Sequence, residues 1–220
     1  GNLSGYLKTH PTMEIVRLLA LKFGKEKLVK HEIGLFSIDS VYRDFDLYIA
    51  NNLSKEKFKG ASAIYAYEDG AEFSLRKAKS LGMKCFYDLP IGHWRAMRRL
   101  LKAEQELRPE WAATLTGFND SEEKLARKDE ELRLADSIFV ASSFTAKTLS
   151  EFPGSISPVH VIPYGFPPVV TGKVYLPPLK RKLKLLFVGG LSQRKGIANL
   201  FEAVEKLKAY VELTIVGAKA

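Results

Sequence analysis

From about residue 45 onward, short β-rich runs alternate with helix-patterned segments, and this alternation constrains the fold more than any other feature of the chain. Runs at 63–67, 84–88, 137–141 and 159–163 are rich in Ile, Val, Phe and Tyr. Strands that alternate with helices imply a parallel sheet with helices on its faces. Asp69 with Glu72 three residues later is a capping-box-like start, and Ala71, Leu75 and Ala78 share one face of the helix that follows, which Gly82 ends. Trp94, Met97 and Leu101 mark another helix, whose other face carries Arg95, Arg98, Arg99 and Lys102. Asp120 reads as the cap of a long charged helix that runs to about 135, with Glu122 and Glu123 in its first turn as the helix dipole prefers. The charge run 122–131 is expected to be a solvated face. Ser142 or Ser143 caps the next, short helix. Residues before 45 form a helical region, with Met13, Val16, Leu19 and Leu28 among its apolar positions, and no strand pattern precedes it.

The segment 166–182 breaks the rhythm. It holds Pro167, Pro168, Gly172, Pro177 and Pro178 and ends in Lys180-Arg181-Lys182, the composition of an interdomain linker. The expected organisation is a Rossmann-like α/β domain over 1–165 that lacks its usual first strand, the linker, and the beginning of a second Rossmann-like domain over 183–220. That second part reads as a strand at 183–188, a helix at about 195–209 and a strand at 211–216. Ile197, Leu200, Phe201, Val204 and Leu207 give the helix one apolar face. Two parallel strands and one helix leave a sheet face and both edges uncovered. The chain is therefore read as a piece of a longer protein, inactive alone and prone to self-association through the incomplete second domain.

The net charge of +9 favours anionic partners. Nucleic acid is set aside, because the sequence has no zinc-finger spacing, no basic region with heptads and no RNP-like strand. The single Cys85 excludes an internal disulfide, supplies no zinc set and reads as a small core residue. No apolar run is long enough to cross a bilayer and no signal peptide opens the chain, which fits a cytoplasmic setting.

The stretch VGGLSQRKGIANL, 188–200, is where the chain is most specific. Gly189 and Gly190 lie at the C-terminal end of a parallel strand, where such sheets bind ligands, and they permit close backbone approach. Gly196 lies near a helix N-terminus, where free N–H groups attract anions. Arg194 offers a planar fork for phosphate oxygens and Lys195 a point charge. The pattern is neither a Walker A loop nor the dinucleotide fingerprint. On these residues alone, a phosphate site and a solvated basic turn before an ordinary helix are both open.

The combination LLFVGGLSQRKGIANLFEAVEKL with LTIVGA resembles the start of the donor-binding domain of family 4 glycosyltransferases, enzymes of the GT-B fold. Upstream, YDLPIGHW and the pairing of ADSIFVASSFTAKTL with VHVIPYGF resemble the later part of that family's first domain, in a bacterial branch. The resemblance covers residues 64–220. It implies two Rossmann-like domains and transfer of a sugar from a nucleotide diphosphate sugar to a glycan or lipid-linked acceptor, with retention of configuration and no metal or other cofactor. It implies a role in polysaccharide biosynthesis, with Gly189, Gly190, Arg194, Lys195 and Gly196 at the donor diphosphate. Many members carry Arg directly after the first glycine of the turn, where this chain has Gly190.

By the same resemblance the first domain supplies the acceptor side. Its strand ends present Glu68, Asp69, Asp88, His93, Ser142, Ser143, Tyr164 and Gly165. His93 is the catalytic candidate, positioning the sugar or accepting the acceptor's proton; the alternative is a histidine packed beside Trp94 that caps the next helix. Asp88 reads equally as structural, as a cap or as an acceptor contact, and Ser142 and Tyr164 are further substrate-side candidates. The Arg95, Arg98, Arg99 and Lys102 face suits an anionic membrane, acceptor phosphates or plain solvent. Two other functions stay open: a non-catalytic nucleotide-binding module, and another GT-B enzyme such as an epimerase or phosphorylase.

Overall fold

The computed structural model describes residues 7–54, 60–169, 172 and 181–218. Most of the segment read as a linker, positions 170–171 and 173–180, lies outside the described residues. The chain divides into two compact units, Gly1–Trp94 with Asp120–Pro163, and Arg95–Asn119 with Tyr164–Ala220. The stretch Arg95–Asn119, which sequence reading left inside the 1–165 domain, thus packs with the second unit.

The first unit opens with three helices, α1 (Thr12–Lys22), α2 (Glu26–Val29) and α3 (Ile38–Asn52). Then come β1 (Ala63–Tyr67), α4 (Glu72–Ser80) and β2 (Lys84–Leu89). Helix α5 (Trp94–Leu107) leaves this unit after its first residue. The unit resumes with α6 (Glu122–Leu134), β3 (Ser137–Val140), α7 (Ser143–Thr148) and β4 (Val159–Val161). The four strands form one parallel sheet in the order β1-β2-β3-β4. This is the α/β arrangement expected from the alternation, and it is compatible with a Rossmann-like fold. Helices α4 and α6 pack on the same face of the sheet, the arrangement that right-handed crossovers between successive neighbours give. The core follows from that. Alternate strand residues Cys85, Tyr87, Leu89, Ile138 and Val140 meet Leu75 and Ala78 of α4, Leu132 of α6, and Leu149 and Phe152. Cys85 is buried there, as read from sequence.

The opposite face of this sheet carries rings. Tyr65 contacts Tyr67 and Phe139, Phe86 contacts Phe139, and His160 stacks on Phe139 at 5.4 Å. Strand β1 is one of the two outer strands of the sheet. It borders a cavity of about 720 Å³ lined by Tyr42, Phe45 and Ile49 of α3 and by Leu53 just past it, with Glu68 directly after β1.

Two helix starts differ from their sequence reading. Asp69 does not cap α4; it sits at φ 80°, and Ala71 is the N-cap, without a side-chain bond. Asp46 of α3 does the work from a distance. Its buried carboxylate accepts the N–H groups of Phe73 at 2.7 Å and Ser74 at 2.8 Å. A carboxylate at a helix N-terminus also complements the dipole. Replacing Asp46 with Ala is expected to cost roughly 2–4 kcal/mol, more than an exposed cap because both donors lose a charged acceptor. Chemical denaturation would measure it, and a loss within a few tenths of a kcal/mol would contradict the assignment. For α6, Ser121 rather than Asp120 is the cap, accepting the Lys124 N–H at 3.2 Å.

The second unit joins the rest of α5 and a 3-10 turn, Pro109–Thr114, to β5 (Leu183–Val188), a 3-10 turn Gln193–Lys195, α8 (Ile197–Lys206) and β6 (Val211–Val216). Strands β5 and β6 pair in parallel as a separate two-stranded sheet. Leu101 of α5 is buried and packs close over Gly117. Arg108 at the end of α5 bonds Glu202 and Asn199 of α8, and Trp111 lies 5.8 Å from Phe201. These contacts carry α5 into the second unit. On β5 and β6, Leu185, Phe187 and Leu213 are partly covered, whereas Leu186, Val188 and Val216 point into solvent.

Candidate functional site

Two regions hold the candidate residues, one in each unit.

In the first unit, the C-terminal ends of β1 and β2 meet the inner face of α6. Sequence reading made the charge run 122–131 a solvated face, and the structure overturns this. Lys124, Arg127, Lys128, Asp129 and Glu131 are all buried. Every one of them has a partner. Glu131 accepts the Asp69 N–H at 2.8 Å, the Ala71 N–H at 2.9 Å and the Tyr87 hydroxyl at 2.8 Å. Arg127 donates to Asp39 and Asp69. Lys124 pairs with Asp69 at 3.0 Å and Asp120 at 3.3 Å, and Lys128 with Asp120 at 3.2 Å and Glu68 at 3.9 Å. The run tolerates burial because each charge is paired or hydrogen-bonded, the condition under which charges survive inside a protein. The network fixes the turn 68–71, including the left-handed Asp69, at the sheet end where parallel α/β folds bind ligands.

The carboxyls here are strongly perturbed. Burial pushes Glu68 up to about 7, with Lys128 pulling the other way. Burial likewise raises Glu131 to about 7, against the backbone N–H groups of Ala71 and Asp69 that favour its ionised form. Burial and the neighbouring Glu131 raise the Tyr87 phenol further. Both glutamates therefore bind protons more tightly folded than unfolded, between their ordinary value of 4.5 and about 7. Stability contributed by these two groups is fully present below pH 4.5 and is lost as pH rises through 7. The expected result is a chain more stable toward urea at pH 5 than at pH 7.5, by about 5 kcal/mol for the two groups together, with roughly half of that difference removed in Glu68→Gln. A midpoint that rises from pH 5 to 7.5 would contradict it.

Of the residues singled out from sequence, His93, Asp88 and Ser142 stand near the ends of β2 and β3. His93 is 1% exposed. Its Nε2 lies 3.3 Å from the Asp129 carboxylate, its backbone N–H donates to Thr148 Oγ1 at 2.8 Å, and Asp129 also accepts the Trp94 indole N–H at 2.8 Å. The imidazole is thus packed beside Trp94, one of the two readings held open for it. Asp88 accepts a bond from the Tyr65 hydroxyl. Ser142 caps α7 by accepting the Thr145 N–H. Tyr164 is 65% exposed and sorts with the second unit, apart from these three. His31, Glu32 and Asp120 bring potential metal-ligand atoms within 4.8 Å of one another. Asp120 already faces Lys124 and Lys128, so a cation there would meet two ammonium groups.

In the second unit, Gly189 to Gly196 connect the end of β5 to α8. Gly189, at φ 150°, donates its N–H to Val216, and Leu191 donates to Ala218, so this turn is tied to the end of β6. Gly217 permits the approach: a Cβ there would stand 1.8 Å from the Gly189 carbonyl oxygen. Gly190 is exposed. Arg194 and Lys195 occupy the 3-10 turn rather than the start of the α-helix, and both are exposed. Gly196, at φ 73°, is the N-cap of α8, a conformation that favours glycine.

Sequence reasoning missed Gln193, which is 2% exposed. The Gly196 cap has no side chain, so the Gln193 Oε1 accepts the Ala198 N–H at 2.9 Å in its place. Gln193 Nε2 donates to Glu104 at 2.6 Å, and its backbone N–H to Thr114 Oγ1 at 3.0 Å. The residue before the two cations is thus a buried anchor, and the cations project from a braced turn beside a helix N-terminus. Chemically, this arrangement suits the oxygens of an anion approaching from solvent. No protein-family model matches the chain, and no curated protein aligns with it at a significant level.

Proposed function

We propose that this chain is part of a nucleotide-sugar-dependent glycosyltransferase of the GT-B type, moving a hexose to a glycan or lipid-linked acceptor. The observation that carries the reading is the turn 189–196. Two exposed cations stand between the end of a parallel strand and the N-terminus of α8, on a turn held by Gln193 and shaped by glycines. Arg194 and Lys195 would hold the donor diphosphate and stabilise the charge that grows on it as the glycosidic bond breaks. Glycine at 190 leaves the backbone there open to the same oxygens. The strand ends of the first unit, at the turn 68–71 and Asp88, would receive the acceptor. His93 then serves as a positioning residue, because Asp129 and Trp94 enclose it. The reading needs no metal or cofactor, and it implies work at the cytoplasmic side of a membrane in polysaccharide synthesis. Solvent-facing Leu186, Val188 and Val216 suit self-association through the second unit.

The burial of His93 favours a second reading, nucleotide binding without chemistry. One experiment separates the two. The whole protein of which this chain is proposed to be a part is incubated with a panel of uridine and guanosine diphosphate sugars and with glycan or polyprenyl-phosphate acceptors, and release of nucleoside diphosphate is followed. Turnover with one donor supports transfer. Binding of the nucleotide without turnover supports the second reading, and absence of both rejects the two together.

A further inference from the structure

We propose that the cavity between α3 and β1 binds a small organic cation, an ammonium group carried on an apolar or aromatic body, with Glu68 as its counter-ion. This inference stands apart from the glycosyltransferase reading and involves no nucleotide. The cavity, of about 720 Å³, falls in the size range of small-molecule sites. Its walls are mostly apolar: Tyr42, Phe45 and Ile49 come from α3, and Ile64 and Tyr67 from β1. Those walls are braced by bonds of the chain itself. Asp46 ties α3 to the start of α4 through the Phe73 and Ser74 N–H groups. A Cβ on Gly70 would stand 3.4 Å from the Tyr42 Cβ, so the turn 68–71 packs close against α3. Glu131 holds the same turn through the Asp69 and Ala71 N–H groups.

The carboxyl group in this lining is unmatched. The Glu68 side chain is 7% exposed and makes no hydrogen bond among the described residues; Lys128 Nζ lies 3.9 Å away, beyond hydrogen-bond range, and is committed to Asp120 at 3.2 Å. A buried carboxylate with spare lone pairs beside an apolar cavity calls for a donor. The surrounding charge selects a cationic one. Asp39, Asp69, Asp120 and Glu131 stand in the network beside Glu68, against Lys124, Arg127 and Lys128, so the acids outnumber the bases. An anionic ligand would add to that excess, and an ammonium offsets it. Tyr42, Phe45 and Tyr67 supply aromatic surface of the kind that accepts a cation and its apolar body. Burial raises Glu68 to about 7, with Lys128 opposing and Asp69, Glu131 and Asp120 reinforcing the rise. The ligand therefore competes with a proton, and its affinity rises as pH passes 7.

Titration calorimetry with tryptamine tests the proposal, against tryptophol as its neutral isostere and indole-3-acetate as its anionic counterpart. At pH 8.5 tryptamine is expected to bind once per chain with a Kd of about 1 mM or tighter. Tryptophol should bind at least about tenfold more weakly and indole-3-acetate not at all. Between pH 8.5 and pH 5.5 the affinity for tryptamine should fall by about tenfold to thirtyfold as Glu68 takes up its proton. Glu68→Gln is expected to weaken tryptamine at least about tenfold at pH 8.5 and to flatten the pH profile. Phe45→Ala is expected to weaken it about fivefold while keeping the profile. Phe45 is 42% exposed, so that variant should fold as the wild type does by circular dichroism. If Glu68→Gln fails to fold, Phe45→Ala and the wild-type pH profile carry the test. Absence of saturable tryptamine binding at pH 8.5, equal binding of tryptophol, a flat wild-type pH profile, or unchanged binding by either folded variant overturns the proposal. So does a dimer by light scattering that leaves tryptamine unbound, which would assign the cavity to a second copy of the chain.

Discussion

Replacing Glu131 with Ala is expected to unfold the first unit under conditions where the wild-type chain is folded. The side chain is fully buried and accepts three bonds, from the Asp69 and Ala71 N–H groups and from the Tyr87 hydroxyl. Alanine leaves two buried donors and one part-buried donor without their acceptor. Each such donor costs about 1–3 kcal/mol, which sums to roughly 3–9 kcal/mol. That compares with a whole-domain stability of about 5–15 kcal/mol. Water entering the vacated space would lower the cost toward the smaller figure. Glu131→Gln should fall between: its carbonyl oxygen can serve Asp69 and Tyr87, but its NH2 group then opposes the Ala71 N–H, a loss of about 2 kcal/mol. Thermal melts followed by near-ultraviolet circular dichroism give the ranking. A Glu131→Ala midpoint within about two degrees of wild type would show that the network does not hold the turn 68–71.

The double substitution of Arg194 and Lys195 by Ala carries the largest expected functional effect. Both side chains are exposed, so their removal should leave the melting temperature unchanged. If each makes one charge-assisted bond to a phosphate oxygen, worth about 1.5–3 kcal/mol, the pair accounts for roughly a hundredfold to ten-thousandfold in nucleoside diphosphate affinity. Titration calorimetry with uridine and guanosine diphosphate measures this directly, and the residual binding should show a shallower salt dependence. A contrast comes from Gln193→Ala. Loss of a buried anchor to Glu104 and Ala198 should lower both the affinity and the stability of the second unit. Undiminished affinity in the double mutant would leave the turn a solvated basic surface.

The sheet was legible in the sequence because its strands are short apolar runs set between helix patterns; β5 and β6 coincide with their sequence reading over 183–188 and 211–216. What escaped was pairing at long range. Asp46 caps α4 across a separation of 27 and 28 residues, and no local motif announces such a cap. Asp69 and Glu72 offered the local capping box instead, and the left-handed Asp69 cannot form it. The buried face of α6 did leave a signal. Leu125 and Leu132, seven apart, define the inner stripe, and Lys128 and Asp129 lie on it at i+3 and i+4 from Leu125. The density of charge outweighs that position in a reading by composition, which makes the run a solvated face. At the other site the glycines and cations were legible and their anchor was not. Gln193 is an ordinary polar residue until Glu104, Thr114 and Ala198 are brought against it, and that needs α5 in the second unit.

Amide chemical-shift mapping during titration of a nucleoside diphosphate tests the diphosphate site most directly. The account predicts saturable shifts centred on Gly189, Gly190, Arg194, Lys195 and Gly196, largest for the diphosphate, smaller for the monophosphate and absent for the bare nucleoside, and weakened by salt as a charge-based site requires. Saturable shifts centred elsewhere, or equal shifts from nucleoside and diphosphate, would contradict it.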